Sequence, residues 1–213
     1  MSKMPRVALV LLASAVLVAP TRAASSPQQA EKVARSFMKM EDQLEDIQAQ
    51  IQSVLEALNG LTTDTGGNMV EKYNAFAKES KRTQDVYKAT KKRAKDSNKL
   101  RDKYLAAWKS DQEKIQNPEL KKASTARREE LLPTIEKIKD SLGSADETMP
   151  PFLQDLTDLN LYLANNLTPS GIATAGSLVQ KCNRDGDKVR TDVGEAVEAL
   201  RVLEKQVAPS FVK

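Results

Sequence analysis

Apolar residues recur at alternating spacings of four and three along three long stretches of the chain. A repeat of this kind keeps one apolar face toward a neighbouring helix while the helices supercoil left-handedly. One stretch runs from Leu131 to Leu163 and another from Ile172 to Val207. The pattern predicts an all-α fold, an elongated antiparallel helical bundle or coiled coil of four long helices. The apolar positions of the first stretch are Val33, Phe37, Met40, Leu44, Ile47, Ile51, Val54 and Leu58.

Four polar residues carry the signature of a helix start, and three of them are followed directly by proline. Their side chains can accept hydrogen bonds from the first free N–H groups of a helix, and proline fits the first helical turn. Asn59-Gly60 predicts the end of the first helix. The capping residues are Ser26, Asn68, Asn117 and Thr168. The predicted helices span about 27–59, 68–116, 118–167 and 169–207.

The inward face of the second predicted helix is more polar than the inward faces of the other three. Small and polar residues occupy much of its inward-facing register, so it offers little apolar area for burial. We therefore expect it to be the most mobile helix or the least completely covered. The residues of this polar seam are Ser80, Thr83, Tyr87, Thr90, Ala94 and Ser97.

The proline pair Pro150-Pro151 interrupts the stretch from Leu131 to Leu163. Interior proline removes a backbone hydrogen bond and clashes with the preceding turn, which predicts a kink or break near residues 144–150. The heptad phase runs across the pair unchanged, and this favours one bent helix over two separate helices.

Helix length predicts a projection at one end of the bundle. At about 1.5 Å per residue, the second and third helices would each reach about 70–75 Å, and the first and fourth only about 50–58 Å. Short connections make consecutive helices antiparallel neighbours. The segment from Leu105 to Leu131, which is largely polar, should therefore project as a two-helix tip.

Three short motifs resemble domain-of-unknown-function family 2959, a family of uncharacterised bacterial envelope proteins that are often lipoproteins. The resemblance covers roughly residues 30–207. It implies an envelope location and a helical fold, and because the family has no established activity it supplies no functional residue. The motifs are Glu71-Lys72-Tyr73-Asn74, Met149-Pro150-Pro151 and the stretch from Phe152-Leu153-Gln154-Asp155-Leu156 through Leu161-Tyr162-Leu163-Ala164-Asn165-Asn166-Leu167.

The first 23 residues have the composition of a secretory signal peptide. Lys3 and Arg6 precede an apolar run of 13 residues, and small residues occupy the positions before a cleavage point after Ala23. The run is shorter than the ~20 residues that span a bilayer, although a retained anchor is the alternative. We expect a periplasmic protein whose residues 24–213 form a single helical-bundle domain. The region has no cysteine, so we expect no lipid attachment there.

The net charge of the chain falls almost to zero once this segment is removed. The full chain has a formal net charge of +4. Without Lys3, Arg6 and Arg22 the count is 30 basic residues against 29 acidic ones. A nearly neutral exported chain argues against nucleic acid as a partner.

The residues that usually carry enzyme chemistry are scarce. The chain contains no histidine and one cysteine, which removes the commonest general base and every thiolate metal cluster. No glycine-rich phosphate loop is present either. We therefore predict a protein that is not an enzyme and that needs no cofactor or metal. Cys182 lies on an apolar stripe, so we expect it in the core, and the alternative is a cross-link between two copies.

Charge is distributed unequally between two predicted neighbours. Residues 78–103 carry eleven basic residues against four acidic ones, whereas residues 140–165 carry five acidic residues and no basic one. Mutual complementarity is one interpretation, and a basic surface that binds a partner is the other. The aromatic pair near the tip can anchor a partner or plug the end of the bundle. The candidate interaction residues are Lys88, Lys91, Lys92, Arg93, Lys95, Tyr104 and Trp108.

Three hypotheses for function follow from these features. The first is a non-catalytic scaffold or adaptor of the cell envelope, with a protein partner or a second copy of itself. The second is a binder of the membrane surface or of cell-wall polymer that uses the basic segment 78–103. The third is a periplasmic helical chaperone, suggested by the weakly covered second helix.

Overall fold

A computed structural model describes residues 26–63 and 67–207 of the chain. The predicted signal peptide and its cleavage point after Ala23 lie outside the described residues. Four α-helices and no strand occur within the described ranges, which confirms the all-α helical bundle. The helices are α1 (Pro27–Thr63), α2 (Met69–Glu113), α3 (Pro118–Asn165) and α4 (Pro169–Val207).

All four capping residues act as the sequence predicts. The Asn117 side chain accepts hydrogen bonds from the backbone N–H groups of Glu119 and Leu120, each at 3.0 Å. The Thr168 hydroxyl accepts from the N–H of Gly171 at 3.0 Å. Ser26 and Asn68 make the same contact with the third residue after them, at 3.4 and 3.2 Å. Local chemistry therefore fixes each helix start.

Three of the predicted helix ends need correction. Asn59-Gly60 does not stop α1, which continues to Thr63. The extra turn buries Leu61 completely, and this burial outweighs the ~1 kcal/mol that an interior glycine costs a helix. α2 ends at Glu113, three residues before the predicted end, and α3 ends two residues early.

The helices pack in cyclic order around one apolar core. α1 lies against α2 and α4, and α3 lies against α4, whereas α2 and α3 touch least. Cys182 is fully buried in the core, and desolvation raises the pKa of its thiol to about 12. The core position predicted for this residue is confirmed.

α3 is continuous through its internal prolines. Met149 and Phe152, on either side of the proline pair, are both buried in the core. Their burial holds the two halves in one register, which confirms one helix rather than two; the bend stays a prediction.

The C-terminal part of α2 and the N-terminal part of α3 project beyond the other two helices. Ser36 of α1 lies 2.8 Å from Ser97 of α2, Oγ to Oγ, so the start of α1 reaches about residue 106 of α2. At the end of α4, the Gln206 carbonyl accepts a hydrogen bond from the guanidinium of Arg127. The two-helix tip, defined here as residues 107–126, is a little shorter than predicted.

Candidate functional site

The contact between α2 and α3 is interrupted. Toward the α3–α4 turn, the Tyr73 hydroxyl donates to the Asn160 carbonyl at 3.3 Å, and Gln84 donates to Thr157 at 3.1 Å. At the base of the tip, the Trp108 indole N–H donates to the Ser124 hydroxyl at 3.0 Å. Between Gln84 and Trp108, the direct polar contacts of α2 with α3 among the described residues are those of Tyr87 and Lys91 with Asp146, and a gap opens beyond them.

A trough of about 920 Å³ fills this gap. All four helices contribute to it: α2 and α3 form the two walls, and core side chains of α1 and α4 form the floor. Its volume is in the range typical of small-molecule sites. The floor residues are Met40, Leu44, Ile47, Val189 and Val193, and the α3 wall includes Leu142, Gly143, Ala145 and Met149.

The trough is shallow. Each of its five floor side chains exposes 2% or less of its surface, so the space lies over a packed core rather than inside it. Ala94 and Leu142 are half-buried on the two walls. A molecule in the trough would therefore touch alkyl surface on both sides.

Four lysines spaced by four residues line the α2 wall. Residues four apart lie on one helix face, and like charges at that spacing repel each other. Lys91 has an acidic partner, Asp146, at 3.0 Å. The other three, Lys95, Lys99 and Lys103, are exposed and form no ion pair within 4 Å among the described residues. They are defined here as the lysine ladder.

A hydrogen-bonded cluster closes one end of the trough. The Tyr87 hydroxyl donates to Asp146 Oδ1 at 2.6 Å, and Lys91 Nζ donates to the same oxygen at 3.0 Å. The hydrogen bond from Tyr87 is the main cause that lowers the pKa of Asp146 below its ordinary value. Burial, with the bond to Asp146, raises the pKa of Tyr87. The cluster ties α2 to α3 at this point.

A buried cation lies near the opposite end. The Arg101 side chain exposes 8% of its surface, and its Nε and Nη2 donate to Asp102 Oδ1 at 2.9 and 2.8 Å. Nη1 donates to Asn98 at 2.8 Å. Asp102 and Asn98 both line the trough, so this end combines the Arg101–Asp102 ion pair with the exposed ladder.

The model of one protein family, described as protein of unknown function (DUF2959), matches residues 27–206. The chain belongs to this family. The match begins at the start of α1 and ends one residue before the end of α4. No curated protein and no solved structure matches the chain.

In this DUF2959 chain the predicted interaction residues separate into groups. Lys91 and Lys95 line the trough. Arg93 lies in a different recess, between α1 and α2, beside Arg35 and Lys39. Lys88 and Lys92 are exposed outside both.

The aromatic pair of the DUF2959 chain braces the base of the tip. The Tyr104 and Trp108 rings are half-buried, with centroids 5.8 Å apart and planes inclined by 54°. Both pack against the core. Burial raises the pKa of the Tyr104 hydroxyl.

Sequence reasoning did not single out Lys99, Lys103 or Lys139, which line the trough with the others. The signal that could have found the first two was present, since a lysine at every fourth position costs a helix stability through like-charge repulsion. Lys139 comes from another helix, and only the packing of α3 against α2 brings it to the trough.

Two further properties hold for the part of the chain that the structure describes. Within residues 26–63 and 67–207, no group of three acidic or cysteine side chains converges where a metal ion could bind. None of the helices in the same ranges has both the length and the apolarity to cross a membrane.

Proposed function

We propose that this protein is a periplasmic scaffold or adaptor of the cell envelope, without catalytic activity, whose two-helix tip contacts a protein partner. The tip is the observation that carries the proposal. It extends past the ends of the described parts of α1 and α4, so its inner faces lack two of the four helices that cover the rest of the bundle.

The energetics of the tip support a role in contacting a partner protein. Stability in a bundle comes mainly from apolar area removed from water, and the tip has little to bury: Leu120 is 62% exposed, and Ile115 is half-exposed. Its two helices are joined by polar contacts, such as the hydrogen bond from Gln112 to Thr125. A segment that adds little to folding and extends the reach of the bundle suits an adaptor.

Site-specific photo-crosslinking in intact cells tests the proposal. Leu120 in the tip and Leu161 near the opposite end of α3 are 62% and 63% exposed, so they form a matched pair for a photoreactive side chain. We expect a discrete protein adduct from position 120 and none from position 161. Equal adducts at both positions, or none at either, would contradict a tip-directed adaptor.

A second candidate is binding to an anionic membrane surface or cell-wall polymer through α2. It is favoured by the many exposed lysines and arginines on this helix, including Lys88, Lys92 and Arg93. Attraction between exposed charges is screened by salt over about 8–10 Å. We expect co-sedimentation with anionic vesicles or isolated cell wall at low salt and its loss at high salt. No co-sedimentation at low salt would remove this candidate.

A further inference from the structure

We propose that the trough between α2 and α3 binds a long-chain fatty acid, with its carboxylate on the lysine ladder and its alkyl chain between the apolar surfaces of the two walls. This inference rests on the trough and not on the tip, so it stands or falls independently of the scaffold function.

Charge is the first argument. Among the described residues, seven charged side chains line the trough, five lysines and two aspartates. Both aspartates are already engaged, Asp102 by Arg101 and Asp146 by Lys91. The ladder therefore presents three positive charges without a counter-charge from the described residues. An anion bound there would relieve their mutual repulsion and form charge-assisted hydrogen bonds.

Shape is the second argument. On α2 the lining extends from Tyr87 to Lys103, about 24 Å at 1.5 Å per residue, and on α3 from Lys139 to Met149, about 15 Å. One leaflet of a bilayer core is about 15 Å thick, which sets the length of an ordered acyl chain. The trough is thus long enough for one such chain, and its shallowness suits a single thin chain better than a bulky ligand.

The two ends of the trough differ in a way that orients the ligand. The Lys91–Asp146 contact sets the antiparallel register and places Lys139 opposite the turn that contains Lys99. Lys139 is paired with Glu136 at 3.0 Å and Arg101 with Asp102, so the positive charge without a counter-charge at this end is that of the ladder. The other end offers the Tyr87 ring beside the Lys91–Asp146 ion pair, in which each charge already has its counter-charge. We place the carboxylate at the ladder and the chain terminus beside Tyr87.

Gly143 supplies the decisive variant. A Cβ added at this position meets no atom within 4 Å, and the residue lines the trough. Gly143→Phe should therefore fill the trough without disturbing the bundle. Gly176→Phe is the matched control, because a Cβ at Gly176 also meets no atom within 4 Å and lies outside the trough lining. Circular dichroism verifies that both variants remain helical.

The experiment is a calorimetric titration of the purified protein with palmitate, kept below the concentration at which it forms micelles. We expect saturable binding to the unchanged protein and to Gly176→Phe, and at least about tenfold weaker binding to Gly143→Phe, because the alkyl chain loses its contact surface. Equal affinity in Gly143→Phe, or no binding to the unchanged protein, overturns the proposal.

Charge variants test the head-group contact separately. Replacing all three lysines of the ladder by glutamine should weaken palmitate binding at least about tenfold through loss of charge-assisted hydrogen bonds. Replacing Lys88, Lys92 and Arg93 by glutamine removes the same charge from α2 outside the trough and should leave palmitate binding unchanged. Equal losses in the two triple variants would overturn the proposal, because the effect would then come from net charge.

Three further results would identify a different occupant and overturn the proposal. The first is acetate or inorganic phosphate binding as tightly as palmitate, which indicates an anion site without an apolar component. The second is binding to anionic vesicles but not to dispersed palmitate, which indicates a membrane surface. The third is a dimer in sedimentation that Gly143→Phe dissociates, which indicates a second copy of the chain.

Discussion

The interface between α1 and α4 and the interface between α2 and α3 lie on different sides of the same bundle and are built by different means. Between α1 and α4 the Leu55 side chain packs directly on the Gly186 backbone: a Cβ added at Gly186 would lie 2.8 Å from Leu55 Cδ1. Asn59 and Asn183 exchange amide hydrogen bonds at 3.0 and 2.9 Å across the same interface. Between α2 and α3, contacts at the two ends enclose a trough.

The difference follows from the side chains that each helix turns inward. α1 and α4 bury long runs of Leu, Ile, Val and Ala, whereas α2 buries mainly small polar residues such as Ser80, Thr83, Thr90 and Ser97. The hydroxyls of Thr83, Thr90 and Ser97 bond within α2 or to α1; for example, the Ser97 hydroxyl donates to the Ser36 carbonyl at 3.3 Å. They hold α2 against α1 and supply little apolar surface to α3. One side of the bundle therefore provides stability and the other leaves room for a ligand.

The largest expected effect is the loss of stability from a truncation on the apolar side. Ile51 is fully buried, and Ile51→Ala should lower the free energy of unfolding by about 2–5 kcal/mol through lost burial and the cavity left behind. Thr90→Ala is the counterpart on the polar side. It removes a hydroxyl that bonds to its own helix at 2.9 Å and should cost about 1 kcal/mol or less. Urea unfolding followed by circular dichroism measures both, and comparable losses would mean that the two sides are not different.

The next largest expected difference is in the rate at which cysteines on the two sides react with a thiol reagent. Cys182 is fully buried and its pKa is raised to about 12 by desolvation, so an alkylating reagent should reach it only through opening of the structure. A cysteine at the half-buried trough residue Ala94, placed in a Cys182→Ser background, should react on the order of a hundredfold faster. Labelling kinetics by mass spectrometry compares the two, and equal rates would show that the trough opens no more readily than the core.

The sequence predicted the local features of this fold well and the spacing between helices poorly. Ser26, Asn68, Asn117 and Thr168 cap their helices through residues two or three positions away, so their role is visible in a short window. The prediction that α1 ends at Asn59-Gly60 was wrong because burial of Leu61 by distant residues overrode the local stop signal. Local chemistry is legible in a single sequence, and tertiary burial is not.

In the candidate site, too, the features that depend on local sequence were predictable and those that depend on packing between helices were not. The polar seam of α2 predicted weak covering, and its lysines predicted a charged face. The sequence alone could not show which neighbour the gap would face, because that depends on how the side chains of four helices fit together. Lys139 and Gly143 belong to another helix and enter the site only through the packing register.

Glycine substitutions should show a smaller difference in stability between the close α1–α4 interface and the open surface. Gly186→Val forces a side chain against Leu55, which is buried and cannot move freely, so it should cost about 1–3 kcal/mol. Gly176→Val meets open space and should change stability by less than about 1 kcal/mol, since valine has the higher helix propensity. Thermal unfolding provides the measurement. A fall in stability for Gly176→Val as large as that for Gly186→Val would indicate a general helix effect instead of close packing.

The smallest expected effect concerns the cluster that closes the trough. Asp146→Asn removes the ion pair with Lys91, and because both side chains are more than half exposed the cost should be no more than about 1 kcal/mol at neutral pH. The folded-state pKa of Asp146 is lowered, so its contribution is present above the unfolded pKa of about 4 and is lost as pH falls through the folded value. The stability difference between the unchanged protein and Asp146→Asn should therefore be largest near neutral pH and vanish in acid. Asp158→Asn is the control, since Asp158 accepts a hydrogen bond from Gln154 of the same helix. A difference that persists at pH 2, or an equal pH dependence in the control, would show that the closed end of the trough does not depend on the Asp146 carboxylate.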